Sequence, residues 1–244
     1  MSGGPALRLA SPDLDAARDR FVRTGRTVIE PVLKAKDAET LHHAMATFSP
    51  WGLVTCVAGQ HRTFDAAGMD VLDPAKRKEF DALVHAGAAS GFQYLFENMA
   101  LYELGRKGAL DGVMRAAFEL VRSQAFLDLA RSVTGCEDIS FSDCQLTRYR
   151  GGHFLTEHDD AVEGKARRAA YVLNMTPDWR ADYGGQLQFL TDTGDVEEAF
   201  TPRFNRLALF KVPARHAVSC VAPFAPSARY AITGWLRAGD EPAL

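Results

Sequence analysis

Cysteine is sparse: Cys56, Cys136, Cys144 and Cys220 are the four in 244 residues, and no two form a CxxC pair. That spacing gives no support to a zinc ribbon or a redox dithiol, and it predicts reduced thiols in a cytoplasmic protein. A basic excess is also lacking. The chain has 28 Lys and Arg against 31 Asp and Glu, a formal net charge of −3, so it lacks the electrostatic footprint of a nucleic-acid binder. No uncharged stretch is long and apolar enough to span a bilayer: residues 82–96 carry His, Ser, Gln and Gly, and no membrane association is expected. Residues 1–8 show no basic segment leading into an apolar run, so no secretory signal is expected. Internal repeats and low-complexity tracts are missing too.

What is present is the composition of a folded domain, 47% hydrophobic and 24% charged, with two textures. The first half reads mainly helical. Ser11-Pro12 is a candidate cap, followed by Leu14, Ala17 and Phe21 at helical spacing. Asp37 is a candidate cap for a stripe of Leu41, Met45 and Phe48. Further helices are expected over residues 74–85, along Leu110, Val113, Ala117 and Val121, and from Ser123 to a stop near Gly135. Strands are expected at 26–30 and 51–58, with 92–104 unassigned. After Gly135 the chain becomes short β-like runs at 139–150, 154–160, 169–176, 186–190, 206–212, 217–221 and 229–237. Gly and Pro separate most of them. Regularly spaced short strands predict an α+β fold with a double-stranded β-helix (jelly-roll) core, helices outside it and mostly from the N-terminal half. The expected division is an N-terminal helical and mixed support region, 1–137, and a core, 138–239, together one structural unit.

Of the seven histidines, His42, His43, His61, His85, His153, His158 and His216, only His158 has an acid two positions later, Asp160. On a strand, residues i and i+2 share a face, so an imidazole and a carboxylate could take adjacent positions on one metal. A distant His216 would complete the two-histidine, one-carboxylate facial triad of non-heme iron sites. HxD alone arises readily by chance. Arg229 adds context. It opens Arg229-Tyr-Ala-Ile-Thr-Gly-Trp235, and on a strand it shares a face with Ala231, Thr233 and Trp235. An inward guanidinium needs an anionic partner, and its planar fork suits a carboxylate. The alternatives are that Arg229 faces solvent or pairs with an internal Asp. Lys165, Arg167 and Arg168 read as a solvated basic run, with a grip on an acidic substrate segment as the alternative, and His42-His43 as exposed. His153, Glu157 and Asp159 fall on the strand face opposite His158.

These motifs come in a familiar order: Leu146-Thr-Arg-Tyr149-Arg-Gly-Gly, Phe154-Leu-Thr-Glu-His158-Asp-Asp160, Arg167-Arg168, Gly184-Gly-Gln-Leu-Gln-Phe189, Pro202-Arg-Phe-Asn-Arg-Leu-Ala-Leu-Phe210, His216-Ala-Val and Arg229 to Trp235. Residues 144–237 resemble the iron(II)/2-oxoglutarate-dependent prolyl hydroxylases. RYAIT-x-W and the Gly-Gly strand are similar to the hypoxia-factor enzymes. The His-Asp-Asp triplet and double Arg are similar to the ribosomal-protein enzymes.

The resemblance implies an iron dioxygenase that consumes 2-oxoglutarate and O2, releases succinate and CO2, and uses ascorbate as a candidate reductant. His158, Asp160 and His216 would hold Fe(II), and Arg229 the distal carboxylate of 2-oxoglutarate. Tyr149 would contact the cosubstrate. Thr233 and Trp235 would line the inner site, with Thr233 supporting Asp160. Where relatives have a tyrosine supporting the distal carboxylate, this chain has Asn174, with Tyr171 the alternative in another register. The expected substrate is a prolyl residue in a protein or peptide, with the translation machinery as a candidate. The alternatives are a free amino acid or other small metabolite, and a catalytically silent sensing module.

Overall fold

The computed structural model describes residues 5–243; residues 1–4, where the N-terminal stretch read for a signal begins, and residue 244 lie outside the described residues. The first half contributes, in order, α1 (Asp15–Thr24), β1 (Arg26–Ile29), α2 (Ala35–Thr47), β2 (Gly52–Val57), β3 (Gln60–Asp65), α3 (Ala66–Asp70), α4 (Pro74–Ser90), β4 (Tyr94–Met99), α5 (Leu101–Arg106), α6 (Gly112–Arg122) and α7 (Gln124–Thr134). The second half contributes β5 (Ile139–Ser142), β6 (Gln145–Tyr149), β7 (Phe154–His158), β8 (Arg167–Asn174), β9 (Leu187–Leu190), β10 (Val196–Phe200), β11 (Arg206–Lys211), β12 (His216–Val218) and β13 (Arg229–Ala238).

Local chemistry sets several boundaries. Asp73 accepts from the N–H groups of Ala75 and Lys76, and Pro74 sits in the first turn of α4. Ser123 accepts from Phe126 N–H to start α7, and left-handed Gly135 ends it. Ala58 and Gly59, with φ of 51° and 74°, close the β2–β3 hairpin in the twist that a two-residue turn requires. Elsewhere the sequence reading fails. Ser11-Pro12 caps nothing, since α1 begins at Asp15. Asp37 lies inside the first turn of α2, where its carboxylate accepts three hydrogen bonds from Arg8. The 139–150 run breaks at Asp143, whose carboxylate accepts from Trp235 N–H at 2.8 Å. The unassigned 92–104 stretch is β4 and the start of α5, and β3, α3 and β10 are elements beyond those the sequence predicts.

The strands form one antiparallel sheet whose main path is β1-β11-β8-β13-β6-β4-β7-β12-β9-β10, with β2 and β3 attached through β4 and β5 paired to β13. It curls on itself. Ala170 and Val172 of β8, Ala208 and Phe210 of β11 and Ala231 of β13 share one core with Leu187, Phe189 and Phe200 of β9 and β10. Alternate residues on the same strands, Tyr171, Leu173, Leu207, Leu209 and Ile232, join the helical residues Phe21, Leu41, Val121 and Phe126 in a second core. The period-two alternation therefore buries both faces. The expected fold, a jelly-roll core with helices outside it, is observed, and the described helices α1–α7 all precede residue 135. The N-terminal half is more than a support, because β1 pairs with β11 and β4 pairs with β6 and β7.

Gly234 and Gly185 stand where the chain passes close to itself. A Cβ on Gly234 would meet the Asp143 carbonyl oxygen at 2.0 Å, and one on Gly185, already at φ 62°, would sit 3.3 Å from Arg229 Cδ.

Candidate active site

The curled sheet encloses a cavity of about 290 Å³ that reaches from the His158 region to Arg229. At one end His158 and His216 face each other as a register pair across β7 and β12, with ring centroids 4.0 Å apart. His158 Nδ1 lies 3.0 Å from the Thr156 carbonyl and His216 Nδ1 lies 2.7 Å from the Ala214 carbonyl. A carbonyl can only accept, so both Nδ1 atoms carry the proton and both Nε2 lone pairs are free. The Asp160 carboxylate meets them, with Oδ1 3.6 Å from His158 Nε2 and Oδ2 3.4 Å from His216 Nε2. The candidate ligand atoms of the three residues all lie within 4.8 Å of one another. Burial, and then the neighbouring His158, push His216 down to about 4, so it is neutral at pH 7. Two imidazoles that turn Nε2 toward one carboxylate are the donor set of a facial triad, and the residues present fit an iron(II) ion.

The strand argument for this convergence is wrong in detail. β7 ends at His158, and Asp160 lies beyond it in the left-handed region at φ 64°. A turn, which Asp tolerates better than most residues, brings the carboxylate back to the histidines.

At the other end Arg229 is 2% exposed and opens β13 opposite Tyr149 of β6. Its Nη2 donates to Asn174 Oδ1 at 3.3 Å, and its guanidinium lies 5.1 Å from the Tyr149 ring centre. Nε and Nη1 are buried without a partner, and among the described residues no carboxylate pairs with Arg229. Both alternatives, solvent exposure and an internal Asp, are therefore excluded. Burial pulls the guanidinium below its ordinary pKa. A buried, incompletely bonded cation facing a cavity is a fit for one end of a dicarboxylate.

The remaining expectations divide. Asn174 is the residue beside Arg229. Tyr171 instead donates to the Asp143 carbonyl at 3.0 Å and packs edge-on to Phe126. Tyr149 stacks on Phe96 at 5.0 Å and lines the cavity, as do Thr233 and Trp235. Among the described residues Thr233 makes no hydrogen bond to Asp160; Arg167 Nη1 donates to the Asp160 carbonyl instead. Arg167 is thus not part of a solvated run, although Arg168 is exposed and pairs with Asp138. His42 is half-buried between Phe204 and Tyr230, not exposed. Sequence reasoning missed the cavity wall supplied by the first half: His61, Phe92, Tyr94 and Phe96. The signal was there, since Phe92-x-Tyr94-x-Phe96 is aromatic at period two.

His153 lies off the metal face, as expected, but it is buried with Nδ1 unpartnered. Burial and the nearby Arg150 push it down to about 3. Because the unfolded chain binds this proton more readily, its contribution to stability is present above pH 6.5 and is lost as pH falls toward 3. Urea unfolding at pH 7, 6 and 5 should show a stability loss approaching about 1.4 kcal/mol per pH unit from this group. The loss should be absent from His153→Gln, and parallel pH profiles of the two proteins would contradict this.

Residues 144–237 match the model of the 2OG-Fe(II) oxygenase superfamily. Prolyl 3-hydroxylase OGFOD1 of Mus musculus is 35% identical over 101 residues, covering 38% of this chain and 18% of that protein. The chain spans less than a third of the length of the curated relatives it matches. A Pseudomonas putida prolyl-4-hydroxylase structure superposes with a TM-score of 0.57 at 18% identity, covering 93% of this chain and 100% of that one. A Trichoplax adhaerens prolyl hydroxylase, solved with a hypoxia inducible factor peptide, gives 0.56 at 16% identity, covering 91% and 87%. These two share the fold. The stretch that matches the 2OG-Fe(II) oxygenase superfamily, residues 144–237, holds every residue of the converging triad and of the Arg229 pocket.

Proposed function

We propose that the protein is an Fe(II)- and 2-oxoglutarate-dependent dioxygenase that hydroxylates a prolyl residue in a protein or peptide. One observation carries the cosubstrate: Arg229, buried with two unpartnered nitrogens, opens onto the same cavity as His158, Asp160 and His216. When bound, iron and 2-oxoglutarate couple oxidative decarboxylation, which yields succinate and CO2, to insertion of one oxygen atom of O2 into a C–H bond. The chain's own residues set the geometry. His158 and His216 present Nε2 because backbone carbonyls hold their Nδ1 protons. Asp160 supplies the negative charge. Arg229, steadied by Asn174, receives the distal carboxylate, and Tyr149 lines the cavity beside it.

Phe92, Tyr94 and Phe96 line the apolar wall of the cavity. Such a wall keeps water away from the reacting atoms and offers flat faces to a pyrrolidine ring. The similarity to a prolyl 3-hydroxylase and the resemblance to the ribosomal-protein enzymes support a protein prolyl substrate, with the translation machinery as the first place to look. The four unpaired cysteines support a reducing compartment, which we take to be the cytoplasm.

The test incubates the protein with Fe(II), 2-oxoglutarate and the proposed reductant ascorbate. Proline-bearing peptides are compared with free amino acids, and products are read by mass. One added oxygen on a peptide proline is expected. Hydroxylation of free amino acids alone would overturn the protein substrate and leave the chemistry in place.

A further inference from the structure

Asp160 has to leave the end of β7, turn through left-handed backbone and deliver its carboxylate to two histidines. Left-handed backbone is disfavoured for a residue with a Cβ, even for Asp, so contacts that hold the turn matter. Among the described residues, the hydrogen bond that reaches the Asp160 backbone comes from Arg167 Nη1, 2.8 Å from the carbonyl oxygen. Arg167 opens β8, and its guanidinium lies 3.5 Å from the centre of the Trp235 ring. Trp235 is itself anchored from both sides of its peptide: its N–H donates to Asp143 Oδ1 at 2.8 Å and its carbonyl accepts from Asp143 N–H at 3.2 Å. The missing Cβ of Gly234 lets the Asp143 segment approach this closely. A continuous chain of contacts therefore runs from Asp143 through Trp235 and Arg167 to Asp160.

We propose that Arg167 is a positioning residue. Stacked on Trp235, it fixes the left-handed turn at Asp160 and so aims the carboxylate at the face shared by His158 and His216. The proposal rests on the metal-site reading above. Both halves of the contact need a guanidinium: the planar face stacks on the indole while an edge N–H reaches the carbonyl. A lysine could provide the second without the first.

Co(II) binding tests this without turnover. Dissociation constants and Co(II) absorption spectra would be measured for the wild type, Arg167→Met, Arg167→Lys, Asp160→Ala and the Asp160→Ala/Arg167→Met double variant. Arg167→Met should weaken Co(II) binding about 10–100-fold, the usual effect of losing a group that orients a ligand, and should shift the spectrum toward that of Asp160→Ala. Arg167→Lys should recover part of the loss. In the Asp160→Ala background Arg167→Met should cost nothing further, because a residue acting through Asp160 is non-additive with it. Wild-type affinity in Arg167→Met, or the same loss with and without the Asp160 carboxylate, would overturn the proposal. If Arg167→Met does not fold, Arg167→Lys carries the comparison, and wild-type affinity and spectrum there would overturn it equally. No Co(II) binding by the wild type, or undiminished binding by Asp160→Ala, would instead bring down the metal-site reading and this proposal with it.

Discussion

Arg229→Ala should raise the dissociation constant for 2-oxoglutarate by about two to three and a half powers of ten, measured anaerobically by calorimetry on the metal-loaded protein. The magnitude follows from breaking a buried charge pair, which costs about 3–5 kcal/mol. Metal binding should be nearly unchanged, because the guanidinium contacts Tyr149 and Asn174 and none of the triad. Arg229→Lys should recover only part, since a point charge replaces a planar fork. The same change should have the opposite sign on the ligand-free fold. A buried guanidinium with Nε and Nη1 unbonded is a cost to the apo protein, so Arg229→Met should raise the melting temperature without ligand. An unchanged 2-oxoglutarate affinity in Arg229→Ala would place the carboxylate elsewhere. Arg150, Arg206 and Arg215 offer little as substitutes, since they are already paired with Asp70, Glu30 and Glu157.

The second large effect is on the metal. The wild type should bind one Fe(II) per chain. His158→Ala, Asp160→Ala and His216→Ala should each lose more than the about 10–100-fold in affinity that neighbouring residues command, and each should abolish succinate formation. The distances of 3.4 and 3.6 Å between the carboxylate oxygens and the two Nε2 atoms motivate this. Full activity in any one variant would remove that residue from the site. His216→Ala also opens space beside Phe210, whose ring centroid is 4.7 Å from the imidazole, so its folding should be checked by circular dichroism.

Much of this was legible in the sequence because it depends on residue type and order. Arg229 could be singled out because an inward guanidinium, on a strand face with Ala231, Thr233 and Trp235, calls for an anion. His158 and His216 stood in a recognisable series of motifs. What the sequence could not show was how strands far apart in the chain are brought together. The direct opposition of His158 and His216 depends on the β7–β12 register, which no local pattern encodes. Asp160 was read for the wrong reason, since a strand period was assumed two residues past the strand's end. Arg167 was misread because an Arg beside Lys165 and Arg168 looks solvated until Trp235 is known to lie beneath it. The aromatic wall was overlooked because Phe92 to Phe96 belongs to the half without motifs, yet β4 inserts between β2 and the core strands β6 and β7.

The central claim is that one cavity holds a metal on His158, Asp160 and His216 and a dicarboxylate on Arg229. A crystal structure of the protein loaded anaerobically with Mn(II) and 2-oxoglutarate, with the metal located by its anomalous scattering, tests it most directly. The account predicts a single peak bonded to His158 Nε2, Asp160 and His216 Nε2, with the distal carboxylate of 2-oxoglutarate on Arg229 beside Asn174. A metal peak away from those three side chains, or a 2-oxoglutarate carboxylate bound elsewhere with Arg229 still unpaired, would contradict it.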